Sequence, residues 1–251
     1  MSTVRRMFLD APPAALACDI PVTPDARAGI SLIAAGDMRL SREATSPSRS
    51  RFLAGLGVAR EHLYAVRQVH SRQVLVIEGQ SAAETAGREA DGLLSARADV
   101  VLSVTVADCL PIFLVDRGSG AFGIVHSGWR GTGIVADALL LLAERFGSKP
   151  GQVTAVIGPG IGPCCYTVPR ERAAQFVSRY GTACVVEDGG PPRLDLRAAN
   201  VVLLEESGVR DIGVLSDCTS CTPGLGSFRR QGPAEFSLML AWIGRRPSIT
   251  R

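Results

Sequence analysis

Three residues have the chemistry to hold a metal or to attack a substrate, and each closes an apolar, strand-like run. His70 ends "AVRQVH", Cys109 ends "VLSVTVADC" and His126 ends "FGIVH". The chain holds 3 histidines in all. The other one, His62 in "AREHLYAV", reads as a surface or helix-end residue. Two imidazoles and one thiolate, with a fourth position open, are the ligand set of a catalytic zinc site, where the metal lowers the pKa of a bound water to about 7. The separations along the chain are much longer than in a compact zinc finger. Three readings therefore stand side by side: an open metal site, a Cys109–His126 nucleophile pair, and unrelated core residues.

Further groups surround these three. Asp108 precedes Cys109, and Asp91 lies in "EADGLL". Either carboxylate is suited to carry a proton or to orient a ligating imidazole through its other ring N–H. "HSGWRGTG" runs from His126 into a helix start. Its glycines permit a tight turn, the helix N-terminus favours an anion, and Arg130 is placed as a phosphate or carboxylate clamp; the plain alternative is a surface arginine on a strand–turn–helix. Arg229 and Arg230 in "SFRRQG" are a second candidate anion site, against a solvated loop. "GPGIGPCCYTV" (158–168) is a rigid loop suited to cover a pocket. Cys164 and Cys165 are adjacent, and on an extended stretch they point opposite ways, so at most one faces a site. "CTSC" (218–221) has the spacing of redox and zinc motifs but no second such pair, and it reads as ordinary structure.

The elements that must position these groups are legible in outline. "AGISLIAAG" predicts a strand, and the polar stretch 41–51 reads as a mobile loop leading into a helix that ends at Gly55 or Gly57. "LYAVRQVHS", "QVLVIEG", "VVLSVTVAD", "PIFLVD" and "AFGIVHS" predict strands, the last two joined by a turn at "RGSG". Between them, "SAAETAGREADGLLSARAD" reads as a polar loop. The clearest helix lies in "GTGIVADALLLLAERFGSKPG", with Thr132 as N-cap and Gly147 as stop. "VTAVI" predicts a strand, "PRERAAQFVSRYG" and "LDLRAANVVLLEESG" helices, the latter capped by Asp195, and "IGVLSD" and "EFSLMLAWI" late strands. Without strict βαβ alternation, this order predicts a layered α+β domain more than a Rossmann sheet.

Composition sets the outer bounds. The 251 residues are 46% hydrophobic and 20% charged, an ordinary globular balance with material for a sizeable core. A net charge of +3, aromatics at 5% and no basic stripe argue against nucleic acid as a partner. Seven cysteines, an odd count in a long chain, predict reduced thiols and not a disulfide framework. The N-terminal apolar run is broken by Asp10, Pro12 and Pro13, and other apolar runs are shorter than the ~20 residues of a membrane span, so the expectation is a cytoplasmic protein with no membrane partner.

Taken together, "RQVHS", "ADG", "TVADCLPIF", "IVHSGWRGT", "GPGIGPCCYTV", "DLRAAN" and "CT…SFRRQG" have the order and approximate spacing of one family. The chain resembles the laccase-domain family, once called multicopper polyphenol oxidases, which includes purine nucleoside phosphorylases with adenosine deaminase activity and the peptidoglycan editing factor. The resemblance covers roughly residues 60–232, with "ADC…HSGWRG" the most specific part. It implies an α/β fold of layered α+β type, with mixed sheets flanked by helices, similar to the catalytic domain of cytotoxic necrotizing factor. It implies one catalytic domain over 1–251, of which 1–60 is a divergent N-terminal part. It implies a zinc held by His70, Cys109 and His126, with copper possible at the same site. Gln68 opens the "Q-x-H" motif, Arg130 matches the motif arginine, and Cys164 and Tyr166 fall in the pocket loop. The N-terminal "TR-x-GG-x-S" of the family is poorly matched by "VTPDARAGISLIAAG", and "GPAEF" replaces a "GR" after the paired arginines.

The activity so implied is zinc-dependent phosphorolysis of adenosine, inosine or methylthioadenosine to base and the ribose 1-phosphate, with deamination of adenosine. Asp108 and Arg130 are the candidate catalytic groups. Arg130, Arg229, Cys164, Tyr166 and Gln68 are the candidate contacts to nucleoside and phosphate, in a monomer or homodimer. Two alternatives stand beside it. One is a zinc or Cys–His amide hydrolase acting on peptidoglycan precursors. The other is a copper-binding oxidoreductase, although three histidines leave no ligands for a multicopper cluster.

Overall fold

The computed structural model describes residues 2–10, 15–40 and 46–245. In chain order the described residues form β1 (Thr3–Met7), β2 (Ala17–Ile20), β3 (Ala26–Ser31), α1 (Pro47–Gly55), β4 (Leu63–Tyr64), β5 (Val74–Val76) and α2 (Ala82–Ala86). Next come β6 (Gly92–Ser95), β7 (Val101–Val106), β8 (Leu110–Asp116), β9 (Phe122–Ser127), α3 (Ile134–Phe146), β10 (Val153–Ile157) and α4 (Arg170–Tyr180). The last are β11 (Val185–Val186), β12 (Arg193–Leu194), α5 (Leu196–Glu206), β13 (Asp211–Leu215), α6 (Phe228–Glu235) and β14 (Met239–Arg245).

Two mixed sheets stack face to face between helices. The larger has the order β1-β13-β10-β8-β9-β6-β5 and the smaller β2-β3-β14-β7-β4; β11 and β12 form a separate ribbon. Strand alternation builds the layers. On β8, Ile112 and Leu114 face α3, α4 and α5, while Phe113 and Val115 face the smaller sheet. On β14, Ala241 and Ile243 face the larger sheet, while Leu240 and Trp242 pack under Phe52 and Leu53 of α1. All seven residues of β8 are buried, as befits a strand covered on both faces. Each fully buried aliphatic or aromatic side chain there contributes roughly 1.5–3 kcal/mol.

The register brings three strand ends to one place. On the β8–β9 pair, Pro111 faces His126 and Leu110 faces Ser127; on the β6–β9 pair, Gly92 faces Val125. Cys109, His126 and Asp91 therefore sit at one end of the larger sheet. Residues 107–109 are also the crossover from β7 in the smaller sheet to β8 in the larger.

Several sequence expectations need correction. The polar stretch 81–99 contains α2, started by a Ser81/Glu84 capping box, and the fully buried strand β6. Helix α1 begins at Pro47 behind the Ser46 cap, so 47–51 are helical, while 41–45 lie outside the described residues. "LYAVRQVHS" supplies only the two-residue β4; residues 65–71 are a loop. Helix α3 is led by Gly133 at φ +115°, and Thr132 Oγ1 donates to the Gly128 carbonyl instead of capping. "FRRQ" is the first turn of α6 and not a loop.

Candidate metal centre

His70, Cys109 and His126 converge: one ring nitrogen from each histidine and Cys109 Sγ all lie within 4.8 Å of one another. The two imidazole rings stand edge to face, with centroids 5.0 Å apart. Two backbone devices aim the ligands. His70 has φ +59° and Asp108 φ +87°, and among the described residues these are the non-glycine positions in the left-handed region. Each such conformation costs on the order of 1–3 kcal/mol and persists only where surrounding bonds hold it. Gly128 supplies the space beside the thiol, since a Cβ there would lie 2.7 Å from Cys109 Sγ.

The surrounding bonds at His70 come from Asp91, whose side chain is fully buried. Its carboxylate accepts the backbone N–H groups of Val69, His70 and Ser71 at 3.2, 3.1 and 2.6 Å, and the Ser71 hydroxyl at 2.8 Å. It also lies 2.8 Å from His126 Nδ1. One carboxylate thus fixes the loop that carries the first histidine and the ring of the second. With Nδ1 occupied by Asp91, Nε2 of His126 is the nitrogen left for a metal.

Electrostatics favour the charged thiolate. Burial opposes ionisation of Cys109, but His126 and His70 together outweigh it and bring the thiol from 9.0 down to about 6. Burial likewise opposes the charge on His126, yet the Cys109 thiolate and the Asp91 hydrogen bond raise it to about 9. Asp91 is held below the usual carboxylate range, its burial being overcome by His126 and the bonds from Ser71. A deprotonated thiol and two imidazoles, one braced by a carboxylate, are a chemically suitable donor set for zinc. All within 4.8 Å of one another, the three donor atoms are close enough to share one ion.

The three ligands line a cleft of about 610 Å³. Its walls include Trp129, Tyr166, Phe228 and Phe236, the arginines Arg172 and Arg229, and Asp108, the sole carboxylate among the described lining residues. Gln68 lines it as well, but its amide is committed to β7: Oε1 accepts the Thr105 N–H and hydroxyl at 2.7 and 2.8 Å, and Nε2 donates to the Thr105 carbonyl at 2.9 Å. Asp108 accepts from the Thr219 hydroxyl at 2.6 Å and the Arg229 N–H at 2.7 Å. Arg229 faces the cleft over the Tyr166 ring at 5.5 Å.

Two expected contacts lie elsewhere. Arg130 is exposed, outside the lining, with its guanidinium 5.1 Å from the Trp129 ring. Beside it, the start of α3 lies against Arg72, which ion-pairs with Asp137 at 2.7 Å. Cys164 is also outside the lining and instead lies 3.6 Å from Cys221 Sγ. Conversely, Arg172 is a cleft cation that the sequence reading missed, stacked 3.8 Å over Trp129. Its only sequence signal is its place in the first turn of the helix that follows the Gly/Pro loop.

The chain is similar to known proteins in sequence and fold. A family model described as multi-copper polyphenol oxidoreductase laccase matches residues 34–246. A purine nucleoside phosphorylase of Deinococcus radiodurans is 35% identical over 198 residues, 78% of this chain and 76% of its own. The purine nucleoside phosphorylase YlmD of Geobacillus stearothermophilus is 34% identical over 221 residues, 81% of this chain and 79% of its own. The crystal structure of YlmD from the same organism superposes with a TM-score of 0.85 at 30% identity, covering 96% of this chain and 100% of that one. With the family model spanning residues 34–246 and relatives at 34–35% identity, the chain belongs to the multi-copper polyphenol oxidoreductase laccase family.

Proposed function

We propose that this protein is a zinc-dependent purine nucleoside phosphorylase that also deaminates adenosine. The observation that carries the reading is the composition of the cleft: an open three-ligand centre, flat aromatic walls and two arginines in one cavity. Relatives named purine nucleoside phosphorylase support it. In phosphorolysis a phosphate oxygen forms the bond to C1′ while the bond from C1′ to the purine nitrogen breaks, and the leaving base takes up a proton. Arg172 and Arg229 hold the phosphate, and Trp129, Tyr166 and Phe228 flank the planar base. Asp108, positioned by the Thr219 hydroxyl and the Arg229 backbone N–H, is the cleft group that accepts or returns protons. His70, Cys109 and His126 hold the metal, which when bound supplies Lewis acidity and an acidified water, the chemistry that deamination requires. Copper is the alternative occupant; among the described residues no methionine lines the cleft, which disfavours a type-1 copper centre.

The test is zinc-loaded protein incubated with adenosine, inosine or methylthioadenosine, with and without phosphate, followed by chromatography of bases and nucleosides. Phosphate-dependent release of base, with inosine formed from adenosine, is the expected result. No turnover of any of them at full zinc loading overturns the reading.

A second reading has one observation in its favour. Cys109, His126 and Asp91 form a thiolate–imidazolium–carboxylate row of the kind that attacks amides, such as those of peptidoglycan precursors. His70 on the same thiol argues for a ligand, since a nucleophile needs only one base. Metal-free protein that stays active and is inactivated by iodoacetamide would establish the nucleophile.

A further inference from the structure

The cysteines outside the cleft are not scattered. Sγ atoms of Cys164, Cys165, Cys218 and Cys221 all lie within 4.8 Å of one another, and all four thiols are free. Cys221 Sγ stands 3.6 Å from Cys164 and 3.4 Å from Cys165. The sulfurs of a zinc tetrathiolate are about 3.8 Å apart, given Zn–S bonds of about 2.3 Å. The sulfurs converge on one point instead of forming two separate couples, with Cys221 almost equidistant from the adjacent pair.

Two turns make this possible. Residues 163–165 are a turn and not an extended stretch, closed by Cys165 N–H and Tyr166 N–H to the Gly162 carbonyl at 3.0 Å each. Both adjacent side chains therefore reach one side, contrary to the expectation from an extended backbone. Cys218–Cys221 form the second turn, closed by Cys221 N–H to the Cys218 carbonyl at 3.1 Å. A bridge between Gly160 and Cys218 holds the turns together.

The surroundings suit bound anionic sulfur. Cys218 Sγ accepts the Gly162 N–H at 3.2 Å. The buried guanidinium of Arg197 donates to the carbonyls of Gly160, Leu215 and Asp217, bracing the backbone just before each turn. Arg230 donates to the carbonyls of Thr219, Ser220 and Thr222, fixing the second turn. Four thiolates around a divalent ion leave a net charge of −2, which N–H donors and a nearby guanidinium offset.

We propose that Cys164, Cys165, Cys218 and Cys221 form a second, structural site that takes zinc as a closed tetrathiolate and clamps two walls of the cleft. One wall is the loop that delivers Tyr166, and the other is the segment that delivers Thr219 and leads to Arg229. The site stands independently of the proposed activity.

The test is zinc stoichiometry of the full chain, purified under reducing conditions, loaded with zinc alone and dialysed. About two zinc ions per chain are expected for the wild type, about one in Cys109→Ala and about one in Cys221→Ser. A Cys221→Ser protein that keeps the wild-type count overturns the site, as does a wild type whose zinc is lost entirely in Cys109→Ala. Should Cys221→Ser not fold, cobalt-loaded Cys109→Ala decides. Intense sulfur-to-cobalt charge-transfer and tetrahedral d–d bands are expected, and their absence overturns the site. An intact mass short of two or four hydrogens in the reduced preparation means disulfides and overturns it as well.

Discussion

The two sulfur-bearing clusters are built on different principles. The cleft centre gathers three donor groups from the ends of sheet strands and the loop beside them, and an ion held there would keep one position for substrate or water. The four-cysteine cluster gathers its groups from two turns, and an ion held by all four would keep none. In the cleft a buried carboxylate, Asp91, braces the ligands; in the cysteine cluster backbone N–H and arginine groups do so. A sheet end fixes a few side chains rigidly while keeping space above them. Turns can wrap an ion completely, at the cost of having little frame of their own. The first arrangement suits chemistry and the second suits holding loops together.

Ligand removal should separate the two most sharply. On the proposed activity, Cys109→Ala or His126→Ala should lower kcat/KM for adenosine by on the order of 10³-fold, whereas Cys221→Ser should stay within about tenfold and lower the Tm. Equal losses in both would erase the distinction between an open and a closed site. Next in size is Asp91→Asn, which removes the brace but no ligand. Zinc affinity at the cleft should fall roughly 10–100-fold, measured by competition with a chromophoric chelator, with the cysteine cluster unaffected.

A smaller effect probes the cleft arginines. Arg229→Ala or Arg172→Ala should raise the KM for phosphate about tenfold, while Arg130→Ala should change it less than about twofold. The reverse ranking would restore Arg130 as the anion clamp. The smallest effect is in protons. At pH 7.5 the metal-free Cys109 thiol, with its pKa at about 6, is already ionised, and His126, at about 9, still carries its proton. Zinc binding at the cleft should then release roughly one proton. In the cluster, burial and neighbouring thiols push Cys164 up, so binding there should release more than one. Calorimetry in buffers of different ionisation enthalpy, on Cys221→Ser and Cys109→Ala respectively, reads the two values.

Much of the cleft was legible because its ligands close recognisable apolar runs. His70, Cys109 and His126 stood out by residue type, and β7, β8, β9 and α3 by periodicity. What stayed hidden depended on the fold. Strand β6 has only four residues and two large apolar ones, and its burial comes from β5 and β9 on either side. Asp91 stands at the head of that unrecognised strand; its residue type marks it as a carboxylate able to orient an imidazole, but its bonds to the backbone of the His70 loop depend on the fold. Arg172 reaches the cleft only through the placement of α4. The cysteine cluster is hidden for a local reason: adjacent cysteines diverge on an extended backbone, and the chain turns there.

The crossover at Ala107–Cys109 has a mechanical consequence. Gln68 ties the His70 loop to β7 of the smaller sheet, His126 belongs to β9 of the larger, and Cys109 sits at the joint between them. An ion shared by the three residues would therefore act as a rivet through both sheets, opposing their sliding past one another. Loading the centre would then make the two layers yield to heat as one body, and stripping it would let them loosen in turn.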